Sequence, residues 1–256
     1  MSWDLEPRGG AVVVRMRSNS VNRMNPALFD DMHRAFDALD REHPRAPVVL
    51  VGEGSTFSAG LDFNHVFPLF RSGDPAAIGA FFEQFRGMIV RVARAARPTV
   101  AALNGHAFAG GLILACACDL RVAARGPAKL ALNEVPIGIA IPSSYLEIVR
   151  HAVGTRVASE AALFARVYDV DAALAAGLVH TAVDAGALLD EAVKLAASIS
   201  DDTFDAFVAT KTAVNAPLLE LLDGACRQRD LEAMRAIVLP SSNRAQVAAF
   251  EKLKKR

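Results

Sequence analysis

The stretch Pro98-Thr99-Val100-Ala101-Ala102-Leu103-Asn104-Gly105-His106-Ala107-Phe108-Ala109-Gly110-Gly111-Leu112-Ile113-Leu114-Ala115-Cys116-Ala117-Cys118 carries no formal charge and is long enough to imitate a membrane span. It opens on a proline, however, and holds Asn104, Gly105 and His106 in its middle, which a spanning helix would not tolerate. It reads instead as a buried strand over Thr99 to Leu103, a turn at Asn104-Gly105, and a helix opened by Gly110-Gly111 and running to Cys116. Upstream, Ala11 to Met16 and Pro47 to Val51 read as strands around a helix over Pro26 to Arg41. A glycine-bearing loop comes next over Gly52 to Asp62, then a long helix over Ala76 to Ala96, halted because the residue before Pro98 leaves helical geometry. Downstream, Asp119 to Ala123 reads as a strand. The remainder is mostly helical: Tyr145 to Ala152, Arg156 to Ala165, Val170 to Ala176, Leu188 to Ser200, Phe204 to Asn215 and Pro217 to Ala236. The expectation is an α/β core over 1–200 followed by a helical region over 201–256 used for assembly.

The chain has 256 residues, 52% of them apolar, with 28 basic and 28 acidic side chains. Zero net charge disfavours nucleic acid as a partner. So does the Pro26 to Glu42 helix, where Asp30, Asp31, Asp37, Asp40 and Glu42 outweigh Arg34 and Arg41. Three cysteines, Cys116, Cys118 and Cys226, make neither a disulfide framework nor a metal pattern. With no targeting or membrane segment read from it, the sequence is expected to specify a soluble cytoplasmic protein.

Dinucleotide, phosphate-loop, nucleophile-elbow and paired-histidine zinc motifs are absent from the sequence. What stands out is a pair of small-residue segments, Phe57-Ser58-Ala59-Gly60-Leu61-Asp62 and Asn104 to Gly111, each read as following a strand, and then a single carboxylate, Glu134, inside apolar Leu130 to Pro142. A reaction that builds negative charge on a carbonyl oxygen needs converging N–H donors, and glycine lets backbone come close enough to supply them. A carboxylate among apolar groups gains proton affinity and becomes a useful base near neutrality. Taken singly, the glycines read equally well as turn formers and Glu134 as a solvated strand end.

In this order, together with Pro98 to Ala107, Cys118-Asp119, Asn133-Glu134-Val135 and Gly138, the motifs resemble those of the crotonase (enoyl-CoA hydratase/isomerase) superfamily over nearly the whole chain. The resemblance implies a spiral of strand-strand-helix turns, a C-terminal helical trimerisation region, and a homotrimer or hexamer. It implies an acyl-CoA thioester substrate whose carbonyl lies between the N–H groups of Leu61 and Gly110, with Glu134 as the base. No metal or other cofactor is implied, coenzyme A being part of the substrate. Residues expected to contact substrate are Arg23, Ala59, Gly60, Asp62, Phe67, Phe70, Gly111 and Lys252, with Phe63 and Leu69 further candidates for the acyl pocket. Because several phosphates would accompany such a substrate, the neutral chain is expected to conceal a basic site at Arg23 and the Lys252 to Arg256 tail.

Hydratases of that family use two glutamates. Gapless alignment from Asn104-Gly105 to Cys118-Asp119 sets Ile113 where the first would stand, so the chain looks like the isomerase branch, in which one glutamate moves the proton. Hydration, hydrolysis or decarboxylation of another acyl-CoA, and non-catalytic acyl-CoA binding, are the competing expectations.

Overall fold

The computed structural model describes residues 3–237. Within them, ten strands build two sheets. The larger has the order β1 (Trp3–Arg8), β2 (Ala11–Met16), β3 (Val48–Gly52), β5 (Thr99–Leu103), β7 (Leu120–Ala124) and β10 (Thr181–Val183). The smaller runs β4 (Thr56–Ser58), β6 (His106–Phe108), β8 (Lys129–Ala131), β9 (Tyr168–Asp169). The pairs β3 and β4, β5 and β6, and β7 and β8 each lay one strand in the large sheet and the next in the small one before a helix returns the chain.

The helices are α1 (Pro26–Glu42), α2 (Phe63–Ser72), α3 (Pro75–Ala93), α4 (Gly110–Cys116), α5 (Ser143–Leu163, broken at Gly154), α6 (Val170–Ala176), α7 (Leu188–Ala196), α8 (Asp201–Asp223) and α9 (Ala225–Ile237). Parallel pairing of β2, β3, β5 and β7 buries the large sheet on both faces, which is why these strands read as short unbroken apolar runs. Val12, Val14, Leu50, Ala101 and Leu103 point into the main core with α1, α3 and α4. Their neighbours Val13, Val49, Val51, Val100 and Ala102 pack beneath Leu188, Ala192, Val193 and Ala196 of α7.

Several elements differ from the sequence expectation. β4 and β6 lie within segments read as loop and turn; at three residues each they are too short to display alternation. The run after Asp62 is helix α2 despite Pro68, and the long helix begins at Pro75 and ends at Ala93. Pro217 does not open a helix: α8 passes through it, held by buried Leu218 and Leu222, and the break falls at Gly224. No described helix is long and apolar enough to cross a membrane.

Two buried cations tie the helices to the sheets. Lys211 of α8 donates to Asp119 Oδ2 and to the Arg97 carbonyl, both at 2.8 Å, while the same carboxylate oxygen receives Thr99 N–H and Oγ1 at the start of β5. Arg121 is 1% exposed. It donates to the carbonyls of Leu178 (2.8 Å), Cys118 (3.1 Å) and Ala152 (3.3 Å), beside the ends of α6, α4 and the first half of α5. Three helix C-termini thus supply the negative potential that a carboxylate would otherwise provide. Replacing Arg121 with Met should lower stability by about 3 kcal/mol, because the buried carbonyls of Leu178 and Cys118 and the half-buried one of Ala152 lose their donor. Arg121→Lys should recover only part of that, a point charge being unable to span the three. Urea midpoints at fixed protein concentration decide this, and an unchanged midpoint for Arg121→Met would refute it.

Candidate active site

The two glycine segments meet because neither carries a side chain at the contact. A Cβ on Gly105 would stand 1.8 Å from Ser55 O, and one on Gly111 would stand 2.4 Å from Ser58 O. One on Gly60 would lie 2.9 Å from Phe108 O and 3.2 Å from Gly110 N. No real Cβ tolerates the first two approaches, so glycine is obligatory for β4 and β6 to pair and for α4 to start beside Gly60. Gly60 also holds φ +82°, which favours glycine.

The peptide joining Gly60 to Leu61 is aimed by a short ladder with the chain before α1. Met24 N–H donates to Gly60 O at 2.8 Å, and Asp62 N–H donates to Met24 O at 2.7 Å. In a trans peptide the N–H opposes the C=O, so the Leu61 N–H points away from the Met24 N–H that holds Gly60 O. Ahead of Gly110, Ala109 takes φ +49° and ψ −123°, a strained conformation for a residue with a side chain, anchored by its N–H to Ala131 O (2.9 Å) and by its carbonyl receiving Ile113 N–H (3.1 Å). Gly110 is the first residue of α4, so its N–H is among the donors a helix leaves without an internal acceptor.

Leu61, Gly110 and Glu134 open on one cavity of about 180 Å³. Its wall is formed by Phe63, Val66 and Phe70 of α2, Phe82 and Phe85 of α3, Ile113 of α4, Ile137, Ile139 to Pro142, and Tyr145 of α5; Arg23 and Asn133 also reach it. Among the described residues lining this cavity, Glu134 is the one carboxylate. Its backbone is fixed by Ile137 and Ile139 N–H groups, which both donate to its carbonyl (3.1 and 3.0 Å), with Gly138 turning the chain at φ +77°. The side chain belongs to a half-buried residue, yet Oε2 is shut off from solvent and has no hydrogen-bond partner among the described residues. Burial raises the Glu134 carboxyl to about 7, only partly opposed by its own backbone N–H.

Of the residues expected at the site, Glu134, Leu61, Gly110, Arg23, Ala59 and Phe70 line this cavity, as does Phe63. Gly60, Asp62, Phe67 and Gly111 do not. Asp62 caps α2, accepting Asn64 N–H at 3.0 Å; Phe67 is buried in the core; and Gly60 and Gly111 form the close-packed backbone between the two glycine segments. Lys252 lies outside the described residues. Phe82, Phe85 and Tyr145 escaped sequence reasoning: their spacing marks buried helix faces, and nothing local says that these faces look at Glu134. The described residues contain no cluster of three His, Cys, Asp or Glu able to hold a metal ion.

Comparison with known proteins gives this geometry a context. A family model described as enoyl-CoA hydratase/isomerase matches residues 6–254. A probable enoyl-CoA hydratase of Rhizobium meliloti is 29% identical over 235 residues, covering 91% of this chain and 88% of that protein. The human mitochondrial Delta(3,5)-Delta(2,4)-dienoyl-CoA isomerase is 32% identical over 206 residues, covering 76% of this chain and 62% of that one. In fold, human mitochondrial delta3-delta2-enoyl-CoA isomerase superposes with a TM-score of 0.89 at 23% identity, covering 100% of this chain and 99% of the other.

The site geometry sets two expected outcomes. Gly111→Ala should destabilise strongly, since backbone at Ser58 must move, whereas Gly79→Ala in α3, where a Cβ meets nothing within 4 Å, should stabilise by about 0.5–1 kcal/mol; thermal midpoints of the two variants test this contrast. Because the folded protein holds the Glu134 proton more tightly than the unfolded chain, stability from this group is lost as pH rises from the ordinary carboxylate range through about 7. Glu134→Gln removes that loss, so its midpoint relative to the parent should rise between pH 5 and pH 8; a constant difference would contradict the assignment.

Proposed function

The chain belongs to the enoyl-CoA hydratase/isomerase family, and within it we propose that this protein is a 3-enoyl-CoA to 2-enoyl-CoA isomerase with Glu134 as its single base. The observation that carries the reading is the composition of the cavity: one carboxylate, with Ile113, 2% exposed, forming wall where the resemblance would set a hydratase's other glutamate. An isoleucine can neither activate water nor return a proton. Isomerisation needs only one group able to do both.

In this mechanism the thioester carbonyl accepts the N–H groups of Leu61 and Gly110, and Glu134 removes a proton from C2. The electron pair of that C–H bond moves into the conjugated enolate, placing negative charge on the thioester oxygen. Protonated Glu134 then gives the same proton to C4, and the double bond shifts from C3–C4 to C2–C3. Each oxyanion donor is worth about 2.7–4 kcal/mol in such reactions, and a positioned base about a hundred- to ten-thousand-fold in rate. A carboxyl raised to about 7 suits a group that must first take and then return a proton. The aromatic and aliphatic wall suits an acyl chain, while Arg23, which has no ion-pair partner among the described residues, is the candidate for the CoA phosphates within this part of the chain.

Assembly into a trimer belongs to the same proposal. Leu163, Phe164 and Val167 are 63%, 81% and 57% exposed, apolar area that another copy would cover.

Purified protein given 3-enoyl-CoA should form 2-enoyl-CoA without added cofactor, with kcat rising on the acid side through an apparent value near 7. Glu134→Gln should lower kcat by about a hundred- to ten-thousand-fold. The hydratase name of the Rhizobium relative makes hydration the second reading; rapid 3-hydroxyacyl-CoA formation from 2-enoyl-CoA would establish it in place of isomerisation, and full activity of Glu134→Gln would defeat both.

A further inference from the structure

Ser58 touches neither the carboxylate of Glu134 nor the cavity it faces. It is fully buried at the end of β4, where the register between β4 and β6 slips between Thr56 and Ser58. Irregularities of this kind bend a strand and re-aim the residues beyond it. Its hydroxyl makes two bonds of opposite sense: Oγ–H donates to the Asn22 carbonyl at 2.7 Å, and Oγ accepts Gly60 N–H at 3.1 Å. Since a serine hydroxyl has a single hydrogen, committing it to Asn22 leaves a lone pair facing Gly60.

Asn22 is itself held. It is buried at φ +50°, and its Nδ2 donates to Glu53 O (2.9 Å) and Thr56 O (2.7 Å). The carbonyl that Ser58 uses therefore belongs to a pinned residue. At the other end of the relay, Gly60 is fixed on both sides, its N–H by Ser58 Oγ and its C=O by Met24 N–H. Those two bonds set the conformation of a glycine at φ +82°, a residue with little preference of its own, and hence the direction of the adjoining Leu61 N–H.

We propose that Ser58 is a positioning residue for the reaction: by joining the pinned carbonyl of Asn22 to Gly60 N–H, it aims the Leu61 N–H at the thioester oxygen. This rests on the oxyanion role proposed for Leu61. Without the hydroxyl, Met24 still holds Gly60 O and Asp62 N–H, but Gly60 N–H loses its acceptor, the glycine's φ is no longer fixed, and the Leu61 peptide tilts about the Met24 bonds.

The test is isotope-edited infrared spectroscopy of a 2-enoyl-CoA carrying a labelled thioester carbonyl, bound to the parent, Ser58→Cys and Ser58→Ala, alongside steady-state kinetics. In the parent the carbonyl band should shift to lower frequency than in free thioester, because two N–H groups polarise it. The shift should shrink in Ser58→Cys, whose thiol bonds are weak, and further in Ser58→Ala, while kcat falls about ten- to hundred-fold and KM stays within about threefold. If Ser58→Ala does not fold, the Cys variant alone carries the comparison. A parent-like band in the soluble variants overturns the role of Ser58, whether or not kcat falls. Absence of any shift in the parent itself overturns instead the oxyanion reading on which the proposal rests.

Discussion

The site depends on backbone approaching backbone more closely than any side chain permits. Ser55 lies against Gly105, Ser58 against Gly111, and Phe108 against Gly60. These contacts let two three-residue strands pair and bring the start of α4 beside the peptide of Leu61. Each strand is too short to stabilise itself; both hold because parallel strands β3 and β5, five residues each and buried throughout, deliver them side by side. The strain at Ala109 and Asn22 is sustained in the same way, by flanking hydrogen bonds that leave those residues no alternative.

On this frame the electrostatics are sparse. Most charged residues lie at the surface in exposed pairs, where individual contributions are small. The buried charges are different in kind. Arg121 is compensated by helix ends, Lys211 by Asp119, and Asp230 accepts the N–H groups of Ser143 and Ser144 at the start of α5. Glu134 has one carboxylate oxygen without a partner, and burial raises its proton affinity accordingly. A buried carboxylate oxygen left without a partner on the wall of a cavity is a group available to a ligand.

Much of this was legible in the residues. Thr99 to Leu103, the Asn104-Gly105 turn and a helix opening at Gly110 are dictated by an apolar run, a turn dipeptide and a glycine pair. Val170 to Ala176 stands where periodicity sets it, ending at Gly177, which takes left-handed φ. By contrast, the edge strand β1 hid behind the charges of Asp4, Glu6 and Arg8. Helix α2 was obscured by Pro68, and Pro217 sits inside α8 because packing of Leu218 and Leu222 outweighs the lost backbone bond. Local preference was overruled in these places by contacts made with distant parts of the chain.

By itself, then, the sequence determined the central strands, most of the helices and the apolar setting of the lone carboxylate, because these are properties of neighbouring residues. Tertiary structure alone decided that only glycine fits where Ser55 and Ser58 approach, that Phe82 and Phe85 of α3 and Tyr145 of α5 would wall in Glu134, that Phe67 would join the core, and that Ser58 would reach back to Asn22. Direction and burial arise when segments far apart in the chain come together. The raised proton affinity of Glu134 has the same origin, since it comes from the water those segments exclude.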